Sequence, residues 1–161
     1  MPTVSVTRAM PEEVGLVFQV FTDLAGRPAW LSTVESVEID DQVTFGTGTR
    51  WRETRRLMGG ELVTEELVVA EVVADQLCVI ASPGVGADYR MTYTFAPIEV
   101  GRLRGGTAVS TCLEGIPQTM TSRFLSFFFG GLAARTVEGA LREDLDALAT
   151  ACAGRAWTSA A

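Results

Sequence analysis

Four side chains near the middle of the chain offer the most chemistry: Glu53, Arg55, Glu66 and Tyr93. Gly59-Gly60 reads as a two-residue hairpin loop between two alternating segments. That loop sets Met58 opposite Glu61, and so Trp51 opposite Val68, Glu53 opposite Glu66, and Arg55 opposite Thr64. The face carrying Trp51, Leu57, Leu62 and Val68 is the more apolar one, which puts both carboxylates on the core side, about 5 Å apart. Two such groups repel if both ionise, so one keeps a proton unless Arg55 neutralises the pair. A protonated carboxyl beside a guanidinium that polarises a carbonyl would suit enolisation or an aldol-type ring closure. The same residues can equally form a self-satisfied Glu–Arg–Glu cluster, and a slip of one residue in register would turn one Glu to water. In a later segment Tyr89, Met91, Tyr93 and Phe95 share a face, followed by Val109, Thr111 and Leu113 in the next. A Tyr on that face can donate a hydrogen bond to a ligand oxygen.

Much other chemistry is excluded. The 161 residues contain no His, no Lys and no Asn, and all 13 basic residues are Arg. No Ser–His–Asp or Cys–His nucleophile can be built, no His ligand can hold a metal, and no Lys can form a Schiff base. A phosphate-binding loop lacks its Lys. The net charge of −7 disfavours nucleic acid and anionic membranes. Cys78, Cys112 and Cys152 are odd in number and lack CxxC spacing, so reduced thiols are expected. Gly46-x-Gly48 precedes a strand rather than a helix and is no dinucleotide fingerprint.

The elements that must position these groups follow from periodicity. Thr3–Met10 alternates as a strand. Pro11 then opens a helix whose Val14, Val17, Phe18, Phe21 and Leu24 recur at helical spacing, with Glu12 and Glu13 expected in its first turn. Gly26-Arg27-Pro28 breaks it before a short second helix at Ala29–Leu31, anchored by Trp30. Six strands follow: Val34–Ile39, Gly46–Leu57, Glu61–Val73, Gln76–Ser82, Asp88–Ala96 and Thr107–Ile116. One long helix is expected from Gln118 to Ala153, with an apolar stripe including Val137, Leu141, Leu145, Leu148 and Cys152. Phe124 and Phe127–Phe129 lie just before Gly130-Gly131, where a gate at the cavity mouth that includes Phe128 with the glycines as hinge, a dimer contact, or plain core packing are all open. The order gives an α+β fold, in which the long helix must cover the concave face of a curved sheet. Residues 1–153 read as a single domain and 154–161 as a frayed tail.

The chain resembles the START-like, or SRPBCC, superfamily with the helix-grip fold, and within it the polyketide cyclase/dehydrase-like proteins. The resemblance rests on the opening strand and helix Val4–Phe21, Phe21-Thr22-Asp23 with Pro28-Ala29-Trp30, and Gly46-Thr47-Gly48-Thr49-Arg50-Trp51. Further on it rests on Gly59-Gly60, Tyr93-Thr94-Phe95, Gly106-Thr107 and the final helix. It implies a seven-stranded antiparallel sheet wrapped around a long C-terminal helix, with two short helices between strands 1 and 2. It also implies an apolar cavity for a hydrophobic small molecule. Some enzymes of the family are thought to use a cavity His, which this chain lacks.

Three functions are expected from this reading. The leading one is binding of a lipid, polyketide or aromatic metabolite. The second is a cofactor-independent cyclase or dehydratase, with Glu53, Glu66 and Tyr93 as acid–base groups. The third is a stress or toxin–antitoxin accessory protein acting through protein contacts. Ligand-lining residues are expected to be Trp51, Arg55, Thr64, Tyr89, Met91, Phe95, Thr111 and Phe128. No metal and no cofactor is expected, nor any nucleic acid or stable membrane insertion. The protein is expected to be a cytoplasmic monomer or homodimer.

Overall fold

The computed structural model describes residues 3–40, 44–56, 59–81, 90–114 and 137–160. Strand β1 (Val4–Met10) is followed by helix α1 (Val14–Thr22), a 3-10 turn (Leu24–Gly26) and helix α2 (Arg27–Trp30). Strands β2 (Val34–Ile39), β3 (Arg50–Arg56), β4 (Leu62–Val73), β5 (Leu77–Ala81), β6 (Arg90–Pro97) and β7 (Thr107–Glu114) come next, then helix α3 (Val137–Ala160). The strands form one antiparallel sheet in the order β1-β7-β6-β5-β4-β3-β2. Strands adjacent in sequence from β2 to β7 pair with one another, whereas β1 closes on β7. The chain must therefore cross from one edge of the sheet to the other between β1 and β2, and α1 and α2 make that crossing.

Pro11, Glu12 and Glu13 precede α1 rather than forming its first turn, with Glu13 at the cap. Asp23 ends the helix, and its Oδ1 accepts from the Gly26 N–H at 3.2 Å, which turns the chain into α2. Val17, Val20 and Phe21 are the buried face of α1. Bulges between Val34 and Ser36 and between Val69 and Glu71 interrupt the ladder and bend the strands. The sheet's inner face and α3 meet in a core that includes Trp51, Leu67, Met91, Leu113, Leu141, Leu145 and Leu148.

The turn before β7 admits no side chain at Gly106. A Cβ there would run into the carbonyl oxygen of Met10 and come within 2.9 Å of that of Leu103. Gly106→Ala is expected to cost about 2 kcal/mol by overpacking against backbone that cannot yield, read as a lower urea midpoint at unchanged slope.

Two further expectations are corrected. The hairpin joining β3 and β4 is not a two-residue loop. Arg56 pairs with Leu62, so an odd number of residues lies between them, and Gly60 takes φ +84°. The register therefore shifts by one: Glu53 pairs with Glu65, Arg52 with Glu66, Thr54 with Thr64 and Trp51 with Leu67. Because side chains alternate with period two, that single step exchanges the faces of β4. Secondly, α3 runs through Ala160, so 154–160 continue the helix instead of forming a frayed tail. The expected first half of this helix, with Phe124, Phe127–Phe129 and Gly130-Gly131, lies outside the described residues.

Candidate functional site

At one end of the core an ionic cluster sits among apolar side chains. Trp51, Glu53 and Arg55 alternate along β3 and all point inward, at 0%, 0% and 2% exposure. Their carboxylate is shared by two guanidinium groups. Arg55 Nε–H donates to Glu53 Oε1 at 2.7 Å, and Arg27 Nε–H, from the start of α2, donates to Oε2 at 2.9 Å. The Trp51 indole N–H adds a third bond to Oε2 at 3.1 Å. Burial alone would raise the Glu53 pKa, but the two arginines and the indole hold it down at about 2. Glu53 is thus a fixed anion and no proton donor. Arg27 is buried as well, and the Glu53 carboxylate more than offsets that burial to raise its pKa. Its guanidinium carbon also lies 5.8 Å from the Trp30 ring centre.

Next to this cluster, Tyr93 on β6 and Asp144 on α3 face the same pocket as Arg27 and Trp30. Phe21, Leu31, Leu145 and Leu148 supply its apolar walls, and it is a partly open pocket of about 20 Å³. That is room for one water-sized group. Asp144 as a residue is half-buried, but its carboxyl Oδ1 is shut off from solvent. Burial pushes that carboxyl up to about 6, against the pull of Arg55 and Arg27. Burial also raises the Tyr93 phenol, which stays protonated as a donor. Phe21 meets Tyr93 at a tilt, 4.6 Å between ring centres, and Phe95 edge-on at 5.3 Å, and Phe18 meets Phe95 edge-on at 5.2 Å. These contacts fix the wall that α1 lends to the site.

The expected site residues divide three ways. Glu53, Arg55, Trp51, Tyr93, Met91, Phe95 and Thr111 are all buried on the inner face. Thr111 Oγ1 has no hydrogen-bond partner there among the described residues. Glu66 and Thr64 lie on the outer face instead, which corrects their expected place in the core. Glu66 meets Arg50 at 3.5 Å, and Thr64 exchanges a 2.7 Å hydroxyl bond with Thr54. Neither can act together with Glu53, because the shifted register sets half-buried Glu65 opposite it. Tyr89 and Phe128 lie outside the described residues. The carboxylate pair that would share a proton is therefore replaced by one carboxylate between two arginines.

Three residues of the site are missed by sequence reasoning. Arg27 sits in a Gly-Arg-Pro break, where no periodicity points its side chain inward. Trp30 reads only as a packing anchor. Asp144 does carry a signal, since it falls three residues after Leu141 and four before Leu148, on the apolar stripe of α3. A charged residue on such a stripe is a candidate for function.

The fold is shared with solved structures. A Thermus thermophilus protein, TTHA0849, is similar over 99% of this chain and 100% of its own, at 23% identity and a TM-score of 0.63. A START superfamily protein of Mycobacterium smegmatis is similar at 15% identity and a TM-score of 0.62, over 95% of each chain. The di-domain ARO/CYC protein BexL of the BE-7585A biosynthetic pathway is similar over 94% of this chain and 48% of its own, at 15% identity and a TM-score of 0.62. No curated protein sequence gives a significant match. Residues 1–153 match the family described as polyketide cyclase / dehydrase and lipid transport. With its seven-stranded sheet and long C-terminal helix in the helix-grip arrangement, the chain belongs to that family.

Proposed function

We propose that the protein binds an apolar small molecule, a lipid, polyketide or aromatic metabolite, between the sheet and α3. The polar end of the ligand would meet Arg27, Tyr93 and Asp144. The observation that carries this reading is the pocket these residues line, where donors and an acceptor converge inside apolar walls. Glu53 serves the reading indirectly, by holding both guanidinium groups in place. None of the helices among the described residues is long and apolar enough to cross a membrane. Native mass spectrometry of the purified protein is expected to show one bound small molecule per chain. Titration with 1-anilinonaphthalene-8-sulfonate is expected to saturate at one site that stearate or 2-naphthol displaces. A chain that purifies empty and binds none of these probes would overturn the reading.

One observation favours catalysis as a second reading. The Asp144 carboxyl, with a pKa of about 6, lies beside a protonated Tyr and an Arg, which is the tuning a general base needs near neutral pH. In a cyclase or dehydratase, Asp144 would take the proton and Tyr93 or Arg27 would polarise the carbonyl. Glu53, already ionised and triply hydrogen-bonded, would not.

A further inference from the structure

Trp30 and Asp144 both line the pocket between α1, α2, β6 and α3, and each has a buried polar atom without a protein partner among the described residues: Trp30 Nε1, a donor, and Asp144 Oδ1. Buried polar atoms are nearly always paired, and each one left bare is destabilising. The indole N–H can only donate, and an ionised carboxylate oxygen can only accept. A single group that serves both must accept from Trp30 and donate to Asp144, which is the pattern of a hydroxyl. An ether or carbonyl oxygen would satisfy only the indole. A carboxylate would bring a second negative charge against Asp144. The pocket offers about 20 Å³ to a water-sized group and is partly open to solvent, so it seats one oxygen and leaves the rest of a ligand to extend outward. Phe21, Leu31, Leu145 and Leu148 favour an apolar body behind that oxygen. Arg27 commits its Nε–H to Glu53 and has its cation over the Trp30 ring, so it borders the same subsite.

We infer that Trp30 and Asp144 form a hydroxyl-reading subsite, which selects apolar ligands carrying a phenol or alcohol by accepting from the hydroxyl at Asp144 Oδ1 and donating to it from Trp30 Nε1. The inference rests on the ligand-binding reading above and narrows it to a chemical class. Of the charged and titratable groups around Asp144, Arg27 from α2 and Arg55 from β3 favour the accepting carboxylate, Glu53 from β3 and Glu143 on α3 itself oppose it, and Tyr93 from β6 stays protonated.

The test compares 2-naphthol with 2-methoxynaphthalene, which differ only in the hydroxyl proton and one methyl group. Binding is measured by calorimetry at about pH 7.5, above the Asp144 pKa, on the wild-type protein, Trp30→Phe and Asp144→Ala. The wild type is expected to prefer 2-naphthol by about tenfold or more, the effect of a hydrogen bond to a charged group. That preference is expected to fall to about twofold or less in each variant, because Phe keeps the aromatic wall without the N–H and Ala removes the acceptor. Circular dichroism checks that the variants are folded, and equal wild-type affinities overturn the subsite whatever the variants do. Equal affinity for the two probes, as when a water bridges the two atoms permanently, overturns the subsite and leaves apolar ligand binding standing. A preference that survives either substitution overturns the two-contact site. Failure of both probes to bind the wild type overturns the ligand-binding reading together with the subsite.

Discussion

Glu53→Gln is expected to lower the stability of the fold by about 3–5 kcal/mol, the largest effect of any single substitution at the site. Glu53 is fully buried and receives hydrogen bonds from Arg27, Arg55 and Trp51. The amide keeps the shape but removes the negative charge that two buried guanidinium groups share. In a chain of this length that loss corresponds to a fall of about 10 °C in Tm. The cluster costs desolvation even when intact, so a triple replacement, Arg27→Met with Glu53→Leu and Arg55→Met, is expected to recover most of the loss while abolishing binding of polar-headed ligands. The pH dependence has a definite sign. The Glu53 pKa is depressed from 4.5 to about 2, so its contribution is present above about pH 4.5 and is lost as pH falls toward 2. Urea unfolding of the wild type and of Glu53→Gln between about pH 2 and 7 checks both points, because the gap between them should close at the acid end. A cost below about 1 kcal/mol at neutral pH would mean the three charges are not coupled in this way.

Asp144→Asn works in the opposite direction. Burial raises the Asp144 pKa from 3.8 to about 6, so the folded protein holds this proton more tightly than the unfolded chain. Stability is therefore lost as pH rises from about 4 to 6, and the full cost of the ionised group, about 3 kcal/mol, is carried above that window. The amide removes this cost. At about pH 8 the variant is expected to be more stable than the wild type by about 2–3 kcal/mol, and at about pH 4 the two should be equal. Paired urea titrations at the two pH values measure the difference directly. A variant no more stable than wild type at the higher pH would mean that the arginines already compensate the carboxylate. A residue that weakens its own fold at neutral pH fits a ligand-contacting role, since strained or undersatisfied groups concentrate at sites.

The elements are largely legible in the sequence because their signals are local. Alternation marks strands at Val4–Met10, Arg90–Pro97 and Thr107–Glu114. Helical spacing from Val14 to Phe21 marks α1, and the stripe through Leu141, Leu145 and Leu148 marks α3. The inward aromatic face of Tyr93 and Phe95 follows from the same parity, and so does the burial of Trp51, Glu53 and Arg55. Parity within one strand is a property of the chain alone.

Relations between strands and helices are another matter. A two-residue hairpin count puts Glu66 and Thr64 in the core, and the turn geometry at Gly60 shifts that count by one residue and turns them outward. The helix runs on past Gly154 to Ala160, where a fray is expected from its terminal position. The partner that neutralises Glu53 comes from Arg27, twenty-six residues away on a helix that crosses the sheet, and Asp144 arrives from the far end of the chain.

The missing His and Lys alone confine any proton chemistry here to carboxylates, phenol, hydroxyls and thiols. The tertiary structure decides which carboxylate has a proton to exchange. Glu53, set between two guanidinium groups, is locked as an anion, while Asp144, with one buried oxygen unpaired among the described residues, titrates near neutrality. The physical reason is that an ionisable group's behaviour is set by the charges and the water around it, and these are assembled only when distant segments pack.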